Sequence, residues 1–369
     1  MVTTEHPLRI LCCDPEGENR GGLSVALELL VQALLKAKDF ELWLLRREPG
    51  GYRASCSGHV PQQATNLSML LSQLNPDVML GVGWHTWSEI AVRQAARRGL
   101  PIVFWSHGVG CLHWYRARPV QASLRWLLRA HRFIGVAATM CQLDHLVVAY
   151  ARKAHSDPRS VDQALAKGLA KSVSAIGNPI DTSFWRPAEQ PDCRRHLVVS
   201  VGRLEWQKGH AAALKILLQA PFTKAPLVCL APVATPYGQK LQQLAARANA
   251  SERLQLRFGL SAAQRRSFLQ QATCLLSWSE TEYQSLAMLE ALACGCPVIA
   301  RPRGWLCHAP IPGVLVTSSS RQASSWIDAL EADPAWAADL GRQGRAYVVQ
   351  HHSLVQVSGH WRTLLAALR

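Results

Sequence analysis

CLLSWSETEYQSLAMLEALACGCPVIARP, residues 274–302, passes from an apolar run through a polar loop into a helical period, SLAMLEALACG, and back to an apolar run, PVIARP. Strand, loop, helix and strand in that order form the βαβ unit of a parallel sheet covered on both faces. A lone charge, Glu290, sits inside the helical run, and a second carboxylate, Glu282, lies upstream just before the helix. The helical neighbours of Glu290 are Leu286, Ala287, Ala293 and Cys294, so its own helix offers it no partner. Either Glu290 faces water, as most glutamates do, or it points inward and takes a partner from elsewhere in the fold.

The same alternation extends in both directions. Upstream of 274 it runs HLVVSVG, a helix from Lys208, PLVCLAP, the helix GQKLQQLAARANA, RLQLRFG and the helix AAQRRSFLQQA. From about Arg321 the chain reads as helix. The first half repeats the pattern: LRILCCD, a loop PEGENRGG, the helix LSVALELLVQALLKA, FELWLL, DVMLGVG, the helix SEIAVRQAARRG and PIVFWSHG. A helix near 120–131, a strand RFIGVAA and a helix TMCQLDHLVVAYARKA follow. Between the halves GNPIDTSFWRPAEQPD has three prolines and no periodicity, which reads as a hinge. The expected fold class is α/β: two Rossmann-like doubly wound domains facing a central cleft at the carboxyl ends of their strands. The expected boundaries are an N-terminal domain over 1–177, a hinge over 178–193, a C-terminal domain over 194–350 and a final helix over 351–369.

The 369 residues suit two domains, and 49% hydrophobic with 18% charged residues excludes a compositionally disordered chain. The N-terminus MVTTEHPLRILCCD lacks a basic region followed by a long apolar segment, so a cytoplasmic protein is expected, with peripheral contact at the inner face of the membrane as an option. Eleven cysteines show no CxxC pair and no zinc spacing, so reduced, buried thiols and no metal site are expected. The net charge of +15 divides almost evenly between the halves. Charge of that kind attracts nucleotide phosphates, anionic lipid and nucleic acid alike. Clustered basic and aromatic modules are missing, which disfavours nucleic acid.

Several residues suit chemistry at the cleft. In VSVGRLEWQKGH, 199–210, Arg203 and Lys208 flank a loop between strand and helix, where two cations can clamp a diphosphate. A solvated basic loop is the plain alternative, and GxxxxGK[ST] is absent. The backbone N–H groups of Gln284, Ser285 and Leu286 start the helix that follows Glu282 and suit a phosphate, while Glu282 itself is favoured there by the helix dipole alone. Gly21-Gly22 occupies the first strand-to-helix turn, as a ligand loop or an ordinary tight turn. His107 closes the strand of FWSHGVG, to line the cleft or to serve the core.

These blocks together resemble the retaining glycosyltransferases of family 4, which have the GT-B fold. The blocks are GG in the first loop, SHG after a central strand, GNPIDTSFWRP, GRLEWQKG and ETEYQSLAMLEALACGCPVIA. The resemblance implies that Arg203 and Lys208 bind the donor diphosphate, with the amides of Ser285 and Leu286 beside it. It implies that Glu290 accepts the ribose hydroxyls and that Glu282 meets the donor sugar. His107 is implied to reach that sugar from the N-terminal domain, and Gly22 to belong to the loop closing on donor and acceptor. Where the family commonly reads E-G-F-G this chain has Glu282-Tyr283-Gln284-Ser285, and its hinge reads GNPID in place of NG-[VI]-D.

The activity so implied is transfer of a sugar from a UDP- or GDP-sugar donor to a glycan, a lipid-linked acceptor or another hydroxyl, with anomeric configuration kept. No D-x-D occurs in the chain, so no metal and no cofactor is expected. A non-catalytic nucleotide-sugar binder and a basic nucleic-acid-binding protein are the rival classes. PVQASLRWLLRAHRF, 119–133, sets Arg125, Arg129 and Arg132 beside Leu124, Leu127 and Leu128, which suits an anionic lipid surface or a core helix with a wet face.

Overall fold

The structure is a computed structural model, and it describes residues 6–13, 22–107, 131, 133–150, 166, 168–189 and 196–368. The chain divides into two compact units, one of 1–179 with 354–369, the other of 180–353. It passes between them after Pro179 and again after Ser353.

Unit 1 is built on a sheet of eight strands in the order β4-β3-β2-β1-β5-β6-β7-β8. β1 (Leu8–Cys13) pairs in parallel with β2 (Phe40–Glu48) and β5 (Val78–Val82); β6 (Ile102–Ser106), β7 (His145–Val148) and β8 (Ser172–Ala175) continue the parallel run. β3 (Gly51–Ser55) and β4 (Gln62–Ala64) turn back as an antiparallel edge after the Pro49-Gly50 turn. Ile10, Leu11, Phe104 and Trp105 are fully enclosed, as the continuous apolar strands require of a sheet covered on both faces. Helices α1 (Gly22–Leu35), α2 (Leu67–Leu74) and α3 (Thr86–Ala96) cover it.

Two expected elements exchange places. Residues 133–140 of RFIGVAATM are helical rather than a strand, and the apolar middle of TMCQLDHLVVAYARKA is β7 rather than a helix. Phe133 and Ile134 are exposed, while Leu146, Val147 and Val148 are buried beside β6 in the register Val103↔His145. Short apolar runs fit either period, and the vacant edge of β6 decides between them. The expected helix near 120–131, with Arg125, Arg129 and Arg132, lies outside the described residues apart from His131.

Unit 2 has six parallel strands in the order β11-β10-β9-β12-β13-β14. They are β9 (Val198–Val201), β10 (Leu227–Ala231), β11 (Leu254–Phe258), β12 (Cys274–Ser277), β13 (Val298–Ala300) and β14 (Val314–Val316). Helices α4 (His210–Gln219), α5 (Pro236–Arg247), α6 (Ala262–Gln271), α7 (Leu286–Ala293), α8 (Ser320–Ala332) and α9 (Pro334–His352) alternate with them or follow. Local signals set the helix starts: a capping box of Ser261 with Gln264 opens α6, Ser285 caps α7, and Asp333 with Pro334 starts α9. Residues 180–189 are packed into this unit, where Ile180 N donates to the His352 carbonyl at 2.7 Å and Arg345 Nη1 to the Trp185 carbonyl at 2.6 Å. The last helix, α10 (Leu354–Ala366), belongs to unit 1: Trp361 meets Trp105 edge-on at 5.3 Å, and Arg362 Nη2 donates to Asp39 Oδ2 at 2.9 Å.

The strand order of unit 2 reverses direction between β9 and β12. In doubly wound sheets ligands bind at that point, outside the carboxyl ends of the strands. The loops that leave those two strands are 202–209 and 278–285, which hold Arg203, Lys208 and Glu282.

Candidate active site

The loop after β9 is held from behind by a buried histidine. His210, first residue of α4, sits between the Ser200 hydroxyl (Oγ to Nδ1, 3.0 Å) and the Arg203 carbonyl (Nε2, 3.2 Å). The carbonyl can only accept, so Nε2 carries the hydrogen and Nδ1 accepts from the hydroxyl. Burial, reinforced by nearby Lys208, pushes the His210 pKa down to about 4, which keeps this neutral arrangement. Between them a 3-10 turn over Trp206–Lys208 ends at Gly209, with φ 70°; a Cβ there would lie 2.0 Å from the Trp278 carbonyl oxygen. Only glycine permits that approach. The two loops therefore touch backbone to backbone, and Glu280 N donates to the Gln207 carbonyl at 2.8 Å.

The second loop is gripped on its other side by the residues after β13. The Arg301 guanidinium pairs with Glu280, Arg303 Nε donates to the Glu280 carbonyl at 3.2 Å, and Trp305 N donates to the Tyr283 carbonyl at 3.0 Å. A Cβ on Gly304 would come within 2.5 Å of the carbonyl oxygens of both Glu282 and Tyr283. Tyr283-Gln284-Ser285 has no glycine, so a flexible backbone cannot set its shape, and packing against two neighbouring loops does so instead.

Within this frame Lys208 Nζ lies 2.9 Å from Glu282 Oε2, with 26% and 12% of the two side chains exposed. Arg203 stands free of the loop with 64% of its side chain exposed, its Nη2 3.7 Å from Glu205 Oε2. Ser285 caps α7, its Oγ accepting from Met288 N at 3.3 Å, and Leu286 begins the helix. Glu290 faces inward with 7% exposure, and the outside partner is Arg265 of α6, Nη2 to Oε1 at 3.5 Å. Burial pushes the Glu290 pKa up to about 7, against the pull of Arg265.

Lys208, Glu282 and the start of α7 are thus brought together in unit 2, with Arg203 on the same loop as Lys208 and Glu290 one turn into α7. His107 and Gly22 lie in unit 1. His107 follows β6, its ring 4.7 Å from that of Trp105, and its Nε2 is buried with no hydrogen-bond partner among the described residues. Burial, with His85 nearby, pushes its pKa down to about 3, so the ring is neutral. Gly22 opens α1 and is exposed, while Gly21 lies outside the described residues. Sequence reasoning missed His210, Arg265, Glu280, Arg301 and Arg303, all of which act through tertiary contacts. A histidine directly after Lys208-Gly209, where the loop turns into a helix, was the one visible signal.

Among the described residues no three His, Cys, Asp or Glu side chains converge on a metal-sized site, Cys56, Cys141, Cys229, Cys274 and Cys294 are free thiols, and no helix is long and apolar enough to cross a membrane.

Solved structures share this architecture over nearly the whole chain. Sucrose-phosphate synthase from Thermosynechococcus elongatus superposes with a TM-score of 0.75, covering 97% of this chain and 99% of its own at 17% identity. Anabaena HepE, solved with UDP and glucose, gives a TM-score of 0.73 over 98% of this chain and 100% of its own at 14% identity. The fold is therefore GT-B, the two-domain α/β fold of glycosyltransferases. Residues 181–347, nearly all of unit 2, match the family described as glycosyl transferases group 1. Among curated proteins, the alpha-maltose-1-phosphate synthase of Mycolicibacterium smegmatis is 25% identical over 97% of this chain and 96% of its own. The D-inositol 3-phosphate glycosyltransferase of Frankia alni is 29% identical over 71% of this chain and 68% of its own. Unit 2 therefore carries a match to the glycosyl transferases group 1 family within a GT-B fold, and the curated relatives above are similar over most of the chain.

Proposed function

We propose that the protein transfers a glycosyl group from a nucleotide-diphosphate sugar to a hydroxyl acceptor, with anomeric configuration kept and without a divalent ion. The observation that carries this reading is the Lys208–Glu282 pair at the β9/β12 switch point, beside Arg203 and the start of α7. Lys208 and Arg203 are the cations for the diphosphate, joined by the amides of Ser285 and Leu286. Glu282 is then released from Lys208 toward the hydroxyls of the donor sugar, and Glu290 accepts from the ribose. His107 and Gly22 carry the donor-sugar and acceptor-side roles from unit 1.

In the reaction the bond from the anomeric carbon to the diphosphate oxygen breaks, and a bond to the acceptor oxygen forms on the same face. The acceptor proton passes to the departing phosphate oxygen. Negative charge grows on the diphosphate, where fixed cations and helix amides stabilise it. A protein nucleophile is not needed in this scheme. The neutral ring of His107 suits a hydrogen bond to a sugar hydroxyl and not a fixed positive charge.

The UDP and UDP-glucose complexes of Anabaena HepE make UDP-glucose the first donor to try. A thermal-shift series across UDP-, GDP- and ADP-sugars tests donor binding, since a ligand bound only by the folded state raises Tm. Donor hydrolysis and transfer, assayed with and without EDTA, test the chemistry. The expected result is a Tm rise with one nucleotide class and turnover unchanged by EDTA. Binding with no turnover or donor hydrolysis against any acceptor leaves a nucleotide-sugar binder. Loss of turnover in EDTA removes the metal-free scheme.

A further inference from the structure

Glu290 and Arg265 form a second ion pair, apart from Lys208 and Glu282. Arg265 lies near the start of α6, its guanidinium carbon 5.7 Å from the centre of the Trp185 ring, and its Nε is buried without a hydrogen-bond partner. Its one close charged neighbour among the described residues is the Glu290 carboxylate, Nη2 to Oε1 at 3.5 Å. The other cations near α7 are spent on carbonyls. Arg266 Nη1 donates to the Phe184 carbonyl at 2.9 Å, and Arg345 of α9 donates to those of Trp185, Ala293 and Thr182 at 2.6 to 3.0 Å. On the strand side Cys296 N donates to the Ala291 carbonyl of α7 at 2.9 Å, and Cys294 ends the helix. Burial pushes the thiols of Cys274 and Cys294 up, so they stay uncharged. One cation therefore faces one enclosed acid.

We propose that Arg265 is a positioning residue that keeps Glu290 ionised and aimed, so that nucleotide affinity depends on Arg265 through the charge state of Glu290 and not through a contact of its own. The proposal rests on the nucleotide reading given above. A buried carboxylate without a counter-charge takes up a proton. A carboxylic acid accepts hydrogen bonds from hydroxyls more weakly than a carboxylate does. The position of Glu290, with burial alone carrying it to about pH 7 even beside the guanidinium, leaves its ionisation sensitive to that one neighbour.

The experiment is calorimetric titration of UDP, or of GDP or ADP if the Tm screen selects one of those, into the full chain from pH 6 to 9. The variants are R265M, R265K, E290Q and the R265M/E290Q double, and the ligand's own ionisation is common to all. Expected are wild-type affinity that weakens as pH falls through about 7 and an R265M midpoint raised by about one unit or more. R265M then binds at least about fivefold more weakly near pH 7 and recovers toward pH 9. R265K keeps the wild-type midpoint, and E290Q and the double variant share one profile, in which only the ligand's own ionisation remains.

An R265M loss by one factor at every pH, or no change at any pH, overturns the proposal. Absence of nucleotide binding at any pH overturns the functional reading instead. The link between the two side chains is then read directly from the infrared band of protonated carboxyl that E290Q removes. If R265M does not move its titration upward, the proposal fails on its own account.

Discussion

The two units have the same doubly wound layout, yet their strand ends are equipped differently. After β9 and β12 in unit 2 lie Arg203, mostly exposed, Lys208 and Glu282, paired across neighbouring loops, and Glu290, paired with Arg265 of α6. After β6 in unit 1 lies His107, neutral and half-buried against Trp105. The sheet provides places at the ends of its strands, and the loops alone decide which chemistry stands there. In the proposed function unit 2 holds the nucleotide and unit 1 answers to the sugar and the acceptor.

The largest expected effect separates the two sites. R203A/K208A weakens nucleotide binding by several kcal/mol, since charge-assisted hydrogen bonds are worth about 1.5–3 kcal/mol each. H107A leaves nucleotide affinity within about twofold while turnover falls by about a hundredfold, in the range of one positioned hydrogen bond in a reaction. Equal nucleotide affinity in the double variant and the wild type, measured by calorimetry, breaks the comparison.

Next come the loop glycines. G304A places a Cβ 2.2 Å from the Tyr283 carbonyl oxygen at φ 54°, and G209A repeats the conflict at Trp278. Each is expected to lower stability by about 1–3 kcal/mol in urea melts, the scale of strain at a forbidden backbone position. A wild-type midpoint in either variant refutes the loop-on-loop contact.

Acid titration then compares two histidines, His107 and His210, with the buried acid. His107 and His210 have pKa values lowered to about 3 and about 4 in the fold, so they favour folding above the unfolded value near 6.5, and that contribution fades as pH falls below it. Glu290 has the opposite sign: raised to about 7, it favours folding below its unfolded value of 4.5 and loses that contribution as pH rises through 7. Urea melts from pH 4.5 to 8 are expected to show a shallower acid loss in H107Q and H210Q than in wild type. In E290Q the decline toward pH 8 should shrink. Parallel curves for all four proteins contradict the burial of these groups.

The smallest effect is expected from E280Q. Its carboxylate is 40% exposed beside Arg301 and Arg303, and such ion pairs contribute about 0–1 kcal/mol. A stability change of that size, together with a turnover change larger than it, marks Glu280 as a support for Glu282. Turnover equal to wild type removes that role.

Much of the fold was legible because its signals are local. Apolar strands such as Val78–Val82 and Leu227–Ala231 are buried on both faces and read as unbroken runs, and the helices between them show their caps and their period. The exchange of helix and strand over residues 133–148 shows where this stops. HLVV fits both periods, and its pairing with β6 is a contact with a segment some forty residues away. The antiparallel edge of β3 and β4 was equally invisible, because short partly exposed strands carry little pattern.

For the site, the sequence by itself determined which residue types stand at the strand ends: the Arg203–Lys208 spacing, the carboxylate before the helix and the lone acid inside it. Those follow from order along the chain, which fixes what enters each βα loop. Only the tertiary structure decided the partners, Lys208 with Glu282, Arg265 with Glu290, and His210 behind the Arg203 loop. Partners 25 and 74 residues apart are chosen by strand order and by which side chains burial leaves without water, and neither quantity is written in any local stretch of the chain.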